Sequence, residues 1–79
     1  MSEQTVQIVI DAINEVIKQN DLGEVSLKPE TVILGDTPLD SLALAEVVVR
    51  LETKTGKDPF NEGFVNFRTV GELAALYDD

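Results

Sequence analysis

Apolar residues recur with helical spacing in three separate segments, and this pattern limits the fold of the 79-residue chain more than any other feature. The first segment spans 2–20, and its stripe consists of Val6, Val9, Ile10, Ile13, Val16 and Ile17. The second segment spans 41–55, and its stripe consists of Leu44, Val47, Val48 and Leu51. The third segment begins at 69, and its stripe consists of Val70, Leu73, Ala74 and Tyr77. Helical spacing without strand-like alternation predicts an all-α fold.

The connection between the first two segments is long and rich in helix breakers. Gly23, Pro29, Gly35 and Pro38 interrupt residues 21–40, and Gly23 suits a left-handed turn at the end of the first helix. Residues 29–32 have the composition of a single helical turn. We expect Leu27, Val32, Ile33 and Leu34 to fold back onto the core, and Ser2 or Thr5 to cap the first helix.

The second helix is apolar around more than half its girth, because Leu42, Ala43, Ala45 and Val49 lie outside its core stripe. Glu46 and Arg50 have the spacing of an ion pair, and Gly56 ends the helix. Segment 57–63 allows only a short turn, and the aromatic residues after Pro59, with Val65, are expected to fill the core: Phe60, Phe64 and Phe67.

Thr69 and Glu72 have the spacing of a capping box at the start of the last helix, and Asp78 and Asp79 are expected to fray. Together the segments predict one domain over 1–79. It is a small four-helix bundle of three longer helices and one short helix, with a long first loop.

The composition excludes several classes of site. The chain has neither cysteine nor histidine, which rules out disulfides, Cys/His zinc sites and Ser–His or Cys–His catalysis within one chain. A calcium loop begun at Asp58 fails because Phe60 and Thr69 occupy ligand positions. We therefore expect no catalytic and no metal-binding residues.

The net charge of −9 repels nucleic acid and anionic lipid and favours basic protein partners. No apolar run is long enough to span a membrane, and the first residues lack the basic start of a signal peptide. We expect a cytoplasmic monomer without membrane insertion.

Ser41 follows a turn-rich stretch, Gly35-Asp36-Thr37-Pro38-Leu39-Asp40, and lies at or beside the start of the second helix. Its neighbouring acids, Asp36 and Asp40, are poor bases for a hydroxyl at neutral pH, so any reaction at Ser41 needs another enzyme. Spacing alone leaves two interpretations open. Ser41 is either an attachment point, or only a helix cap in an unmodified acidic adaptor that binds a basic partner.

Asp40-Ser41-Leu42 after a loop ending in Leu34-Gly35-Asp36, and before an apolar-acidic helix, resembles the acyl carrier protein family. The resemblance covers nearly the whole chain and implies a short helix between the second and last long helices. It implies that Ser41 receives 4′-phosphopantetheine from coenzyme A through a separate, magnesium-dependent phosphopantetheinyl transferase. Asp36, Asp40 and Leu42 would serve recognition by this transferase. The arm's thiol would hold acyl or aminoacyl groups as thioesters, so that the protein is a carrier and not an enzyme.

The resemblance also implies partner enzymes that dock on the second helix. They would be an acyl- or aminoacyl-activating ligase and an acyltransferase or synthase. The partner-binding residues would be Leu42, Glu46, Val49 and Glu52. Arg50 and Lys54 depart from the acidic helix of fatty-acid-synthesis members, which favours a specialised pathway. An acyl chain sheltered between the helices would have these candidate liners: Val9, Ile13, Leu44, Val48 and Leu51.

Overall fold

The computed structural model describes residues 3–61, 63 and 65–78 and contains four helices within them. They are α1 (Glu3–Gln19), α2 (Ile33–Asp36), α3 (Ser41–Thr55) and α4 (Val70–Tyr77). Helix α1 packs against both α3 and α4, which confirms the small all-α bundle. No helix among the described residues has the length and apolar character needed to cross a membrane. The predictions for Ser2, Phe64 and Asp79 lie outside the described residues.

Helix α1 supplies the centre of the core. Four of the six positions of the predicted stripe are fully buried, whereas Val6 and Ile10 are half-buried, and Ala12 is a buried residue that the pattern had missed. The fully buried residues are Val9, Ala12, Ile13, Val16 and Ile17. The prediction that Thr5 caps this helix is wrong. Thr5 lies inside α1, and its hydroxyl donates a 3.0 Å hydrogen bond to Asp78 Oδ1. This hydrogen bond holds Asp78 against α1, so the expectation that Asp78 frays is wrong.

The end of α1 is closed by a left-handed aspartate. Asp21 has φ +56°, and its N–H donates to the Lys18 carbonyl at 3.2 Å, while the Leu22 N–H donates to the Ile17 carbonyl at 3.0 Å. This pair of bonds is a Schellman motif, in which glycine is the usual left-handed residue. Gly23 also has a positive φ, +96°, as the sequence predicts, but it lies two residues beyond the turn that ends the helix.

The short helix lies in the first loop and not in the place implied by the resemblance. Residues 29–32 contain a turn, and the helix itself is α2, at Ile33–Asp36. Between α3 and α4, the described residues form turns, irregular backbone and one isolated β-bridge position, Thr69, but no helix. Ile33 is buried, as expected for a loop that folds back, whereas Leu34 is 53% exposed.

Backbone hydrogen bonds fasten this loop to the segment before α4. Val32 and Thr69 form an isolated β-bridge. The Ile33 N–H donates to the Arg68 carbonyl at 2.8 Å, and the Val70 N–H donates to the Thr31 carbonyl at 3.0 Å. These bonds fix the backbone that leads into α3.

Helices α3 and α4 begin and end as their sequences predict. Gly56 ends α3 with φ +73°, and its N–H donates to the Glu52 carbonyl at 2.8 Å. The capping box of α4 is present, because Thr69 Oγ1 accepts from the Glu72 N–H while Glu72 Oε1 accepts from the Thr69 N–H. These backbone donors lower the pKa of the Glu72 carboxyl.

The side chains of α3 and of the segment after it differ from the prediction. The buried residues of α3 are Ala43, Val47 and Leu51, so Ala43 belongs to the core and not outside it. Phe60 and Phe67 are half-buried and pack at the edge of the core, and Val65 is 40% exposed. The last two core positions of α4, Ala74 and Tyr77, are buried as predicted.

Tyr77 brings a hydroxyl into the core for which the described residues provide no hydrogen-bond partner. Burial, with smaller contributions from the negative charges of Asp58 and Glu52, raises the pKa of this phenol to about 12. Tyr77 therefore remains neutral wherever the protein is folded at physiological pH.

Candidate functional site

Ser41 is the first residue of α3, and Asp40 is the residue that caps the helix. The Asp40 carboxylate accepts a 2.8 Å hydrogen bond from the Ala43 N–H, while its carbonyl accepts from the Leu44 N–H at 2.9 Å. Within the described residues, the exposed Ser41 hydroxyl has no hydrogen-bond partner. The interpretation of Ser41 as a helix cap is therefore wrong, and its hydroxyl is available at the surface.

The loop before Ser41 is held by its own polar side chains. The Asp36 carboxylate accepts a 3.0 Å hydrogen bond from the Val32 N–H and so closes the single turn of α2. The Thr37 hydroxyl donates to the Ile33 carbonyl and accepts from the Leu39 N–H at 3.2 Å. Leu39, only 5% exposed, anchors the chain in the core directly before Asp40. Ser41 is thus presented on a constrained backbone.

An apolar groove of about 550 Å³ opens beside Ser41. Apart from Ser41, its lining is entirely apolar and comes from α2, α3 and the segment before α4: Leu34, Leu44, Ala45, Val48, Val49, Phe60 and Phe67. The rings of Phe60 and Phe67 form a tilted pair with centroids 5.9 Å apart. This groove offers an apolar surface for an apolar group held near Ser41.

Only part of the predicted acyl-chain lining faces this groove. Leu44 and Val48 line it, but Val9, Ile13 and Leu51 are fully buried in the core. Leu34, Phe60 and Phe67 line it without having been predicted to. The sequence predicted these three residues only as core residues, because no local pattern indicates that three distant segments meet beside Ser41.

The three residues predicted for recognition by a transferase and the predicted attachment residue Ser41 are all at the surface. Asp36, Asp40, Ser41 and Leu42 are all exposed, and Leu42 reaches 73%. The predicted partner-binding residues Glu46, Val49 and Glu52 are also exposed on α3. Val49 is on the same groove wall as Ser41, whereas Glu52 lies three turns along the helix from it.

The basic residues of α3 point toward α1. Arg50 Nη1 lies 3.2 Å from Glu15 Oε1, and Lys54 Nζ lies 2.9 Å from Glu15 Oε2. Arg50 also donates to Gln19, so the predicted pairing of Glu46 with Arg50 is replaced by contacts across the helix interface. The hydrogen bond from Lys54, followed by its charge and by Arg50, lowers the pKa of the Glu15 carboxyl.

The site fits a phosphate ester better than a catalytic centre. Its chemistry is one accessible hydroxyl at the positive end of a 15-residue helix, where the first N–H groups favour a negative group. The described residues place no base on that hydroxyl and contain no cluster of three or more potential metal ligands. A group such as 4′-phosphopantetheine would be attached at Ser41, with the apolar groove next to it.

Comparison with known proteins agrees with this chemistry. Residues 7–77 match the family model described as "Phosphopantetheine attachment site". The meromycolate extension acyl carrier protein of Mycobacterium tuberculosis (strain ATCC 25618 / H37Rv) is 31% identical over 72 residues, which are 90% of this chain and 63% of the relative.

A second relative, from Mycolicibacterium aurum, has the same name and is 30% identical over 70 residues, which are 87% of this chain and 72% of that protein. The chain thus spans less than two thirds of the length of its M. tuberculosis relative. No solved structure matches the chain significantly. The match over residues 7–77 shows that the chain belongs to the acyl carrier protein family, whose phosphopantetheine-binding domains carry the prosthetic group covalently.

Proposed function

We propose that Ser41 is the residue to which 4′-phosphopantetheine is attached, and that the protein carries acyl or aminoacyl intermediates between enzymes. The observation that supports this most directly is that two adjacent residues, Asp40 and Ser41, have different roles at the start of α3. Asp40 caps the helix, and the Ser41 hydroxyl is left exposed and without a partner among the described residues. The prosthetic group, when attached, supplies the thiol that this cysteine-free chain lacks, and this thiol holds the cargo as a thioester.

A phosphopantetheinyl transferase is the first partner that this function requires. Because no local base reaches Ser41, the transferase must activate the hydroxyl and supply coenzyme A. Asp36, Asp40 and Leu42 are exposed, Asp40 and Leu42 flank Ser41 in the chain, and all three would be the residues that the transferase contacts. Asp36 and Asp40 also fix the backbone on either side of Leu39, so each combines recognition with positioning.

The other partners would be a ligase that activates the acyl or aminoacyl group and an acyltransferase or synthase that uses it. Leu42, Glu46, Val49 and Glu52 form the face of α3 on which we expect them to dock. The similarity to carriers named for meromycolate extension supports a specialised lipid pathway. We expect the protein to act in the cytoplasm. The groove beside Ser41 would shelter an apolar cargo along Leu44 and Val48.

Intact-mass measurement tests the attachment directly. The purified apo protein is incubated with coenzyme A, magnesium and a broad-specificity phosphopantetheinyl transferase. We expect the mass to rise by one phosphopantetheine group. The Ser41→Ala variant should remain at its original mass while keeping the helical circular dichroism spectrum of the wild type.

Ser26 provides the matched control, because it is an exposed serine in the first loop and far along the chain from α3. Ser26→Ala should be modified like the wild type, and peptide mapping should place the added group on residues 41–50. Modification that persists in Ser41→Ala, or a wild-type protein that several transferases leave unmodified, would refute the assignment.

A further inference from the structure

A second cavity adjoins the apolar groove beside Ser41. It has a volume of about 300 Å³, and its lining consists of five apolar residues and of two polar ones, Asn66 and Arg68. We refer to it as the Arg68 pocket. Leu34, Leu44 and Phe67 line both cavities, so no more than these side chains separates the pocket from the groove.

The groove and the Arg68 pocket end in different chemical groups. Ser41 lines only the groove, and Arg68 lines only the pocket. Leu34, which lies between them, is 53% exposed, and exposed side chains change rotamer within nanoseconds. A flexible chain in the groove can therefore pass Leu34 without disturbing the core, and its path leads from the attachment residue to a cation.

Arg68 is fixed by its backbone, whereas its side chain is unoccupied. Its carbonyl accepts from the Ile33 N–H at 2.8 Å, and its N–H donates to Glu72 Oε1 at 2.9 Å. Among the described residues, neither its guanidinium nor the Asn66 amide has a hydrogen-bond or ion-pair partner. The two bases of α3 differ in this respect, because Glu15 holds both of them.

Glu72 is the acid that senses the charge of Arg68. The N–H groups of Thr69 and Arg68 are the main cause of the lowered pKa of the Glu72 carboxyl, and the charge of Arg68 contributes least. Glu72 thus serves as part of the α4 capping box and forms no ion pair with the guanidinium. The guanidinium remains available for another anion.

The polar groups of the Arg68 pocket suit a carboxylate. A guanidinium has several N–H donors in a planar fork that matches a carboxylate, and an amide NH₂ adds two more donors. No acid is present among the described residues that line the groove or the pocket, although the net charge of the chain is −9. A carboxylate is therefore attracted here, whereas the amine of an aminoacyl group is repelled by Arg68.

We propose that the cargo is a dicarboxylic acyl group, held as a thioester at one end and by Arg68 and Asn66 at its other end. The apolar spacer between the two ends lies along the groove. The proposal rests on the proposed function, since the cargo is attached through the prosthetic group on Ser41. The phosphate of that group is not the anion in question, because it is bonded to Ser41, which lies outside the Arg68 pocket.

Two cargoes that differ only in a terminal carboxylate test this. The apo protein is loaded by a broad-specificity phosphopantetheinyl transferase with octanoyl-coenzyme A or with suberyl-coenzyme A, which have the same chain length. Hydroxylamine then cleaves the thioester, and each rate is divided by that of the same acyl-coenzyme A free in solution. We expect the suberyl group to be protected about threefold to tenfold more than the octanoyl group.

Arg68→Gln removes the charge and keeps both backbone hydrogen bonds of this residue. It should abolish the extra protection of the suberyl group and leave the octanoyl rate unchanged, while Arg68→Lys should retain part of the difference. Lys28→Gln is the matched control, because Lys28 is an exposed base that lines neither cavity. It should behave like the wild type. In the wild type, about 0.5 M NaCl should reduce the suberyl advantage.

Three results would overturn the proposal while leaving attachment at Ser41 intact. They are equal protection of both cargoes in the wild type, a suberyl advantage that survives in Arg68→Gln, and an equal loss of protection for both cargoes in Arg68→Gln. The last result would assign Arg68 a structural role only. Failure of both coenzyme A derivatives to load Ser41 would instead refute the proposed function, and the cargo proposal with it.

Discussion

Replacing Asp40 separates its observed role as the cap of α3 from the role in transferase recognition that we propose for it. Its carboxylate accepts the Ala43 N–H at 2.8 Å, and it lies at the positive end of the helix. Asp40→Ala removes the cap, which costs about 0.5–2 kcal/mol, and also removes the charge–dipole attraction, which costs about 0.3–1 kcal/mol at an exposed site. We therefore expect a loss of stability of about 1–3 kcal/mol.

Asp40→Asn keeps an oxygen that accepts the Ala43 N–H and removes only the charge. Asparagine and aspartate are nearly equal as caps, so the loss of stability should be limited to the dipole contribution of about 0.3–1 kcal/mol. A loss of 1 kcal/mol lowers Tm by about 4–8 °C in a domain of this size. Thermal unfolding followed by circular dichroism should therefore rank the variants as wild type, Asn and Ala in decreasing Tm.

The rate of modification of Ser41 is then measured on the same proteins, well below their Tm values. If the transferase recognises the Asp40 carboxylate, the Asp40→Asn and Asp40→Ala variants should be modified equally slowly although their stabilities differ. Thr69→Ala, which removes the cap of α4, is the stability control and should lower Tm without slowing modification. Equal Tm values for Asp40→Ala and the wild type would refute the capping argument. Full recovery of the rate in Asp40→Asn would refute a recognition role for the charge.

Three further changes test the scaffold, and urea unfolding measures each one. Asp21→Gly should stabilise the protein by about 0.5–1 kcal/mol because it relieves a left-handed φ of +56°, and a destabilised variant would contradict this. Glu15→Gln should cost less than about 1 kcal/mol because both ion pairs are partly exposed. Since the folded pKa of Glu15 is lowered, this contribution is present at neutral pH and disappears as pH falls below the ordinary value of 4.5, so equal acid sensitivity of both proteins would refute it. Tyr77→Phe removes a buried hydroxyl that has no hydrogen-bond partner among the described residues, and it should be neutral or stabilising by about 1 kcal/mol. Because the folded pKa of Tyr77 is raised to about 12, ionisation of this phenol in the unfolded state lowers the stability of the wild type as pH rises from 10 through 12, and a variant with the same alkaline loss would disprove the cause.

Local sequence signals were sufficient for the helices and their ends. The bounds of α3, its termination at Gly56 and the capping box of Thr69 and Glu72 all depend on residues within four positions of each other. Hydrogen bonds of this kind are determined by the backbone nearby, so the sequence pattern predicts them well. The apolar stripe of α1 was also predictable, because its spacing repeats over about three turns.

Contacts between distant segments were not predictable in the same way. Arg50 has an acid at the favourable i−4 position, Glu46, yet it pairs with Glu15, which is 35 residues away along the chain. Ala43 was assigned to the outer face because the predicted stripe began at Leu44, whereas the buried positions repeat every four residues: 43, 47 and 51. The packing of α1 against α3 determines both the partner of Arg50 and the burial of Ala43. No local sequence pattern indicates how these two helices pack.

The residue that caps α3 determines what Ser41 can do, and a shift of the helix start by one residue would change it. Aspartate and serine are both good caps, so Asp40-Ser41 allows a helix that begins at either residue. A helix capped by Ser41 would have its hydroxyl engaged by a backbone N–H of the first turn. With Asp40 as the cap, the Asp40 carboxylate accepts the hydrogen bond from the first turn. Ser41 then lies within the first turn, and its hydroxyl has no hydrogen-bond partner among the described residues. Leu39 secures this register, because it is 5% exposed and joins the core immediately before Asp40. An exposed hydroxyl on a firmly anchored helix is what an external transferase needs, and here it follows from the order of two adjacent residues.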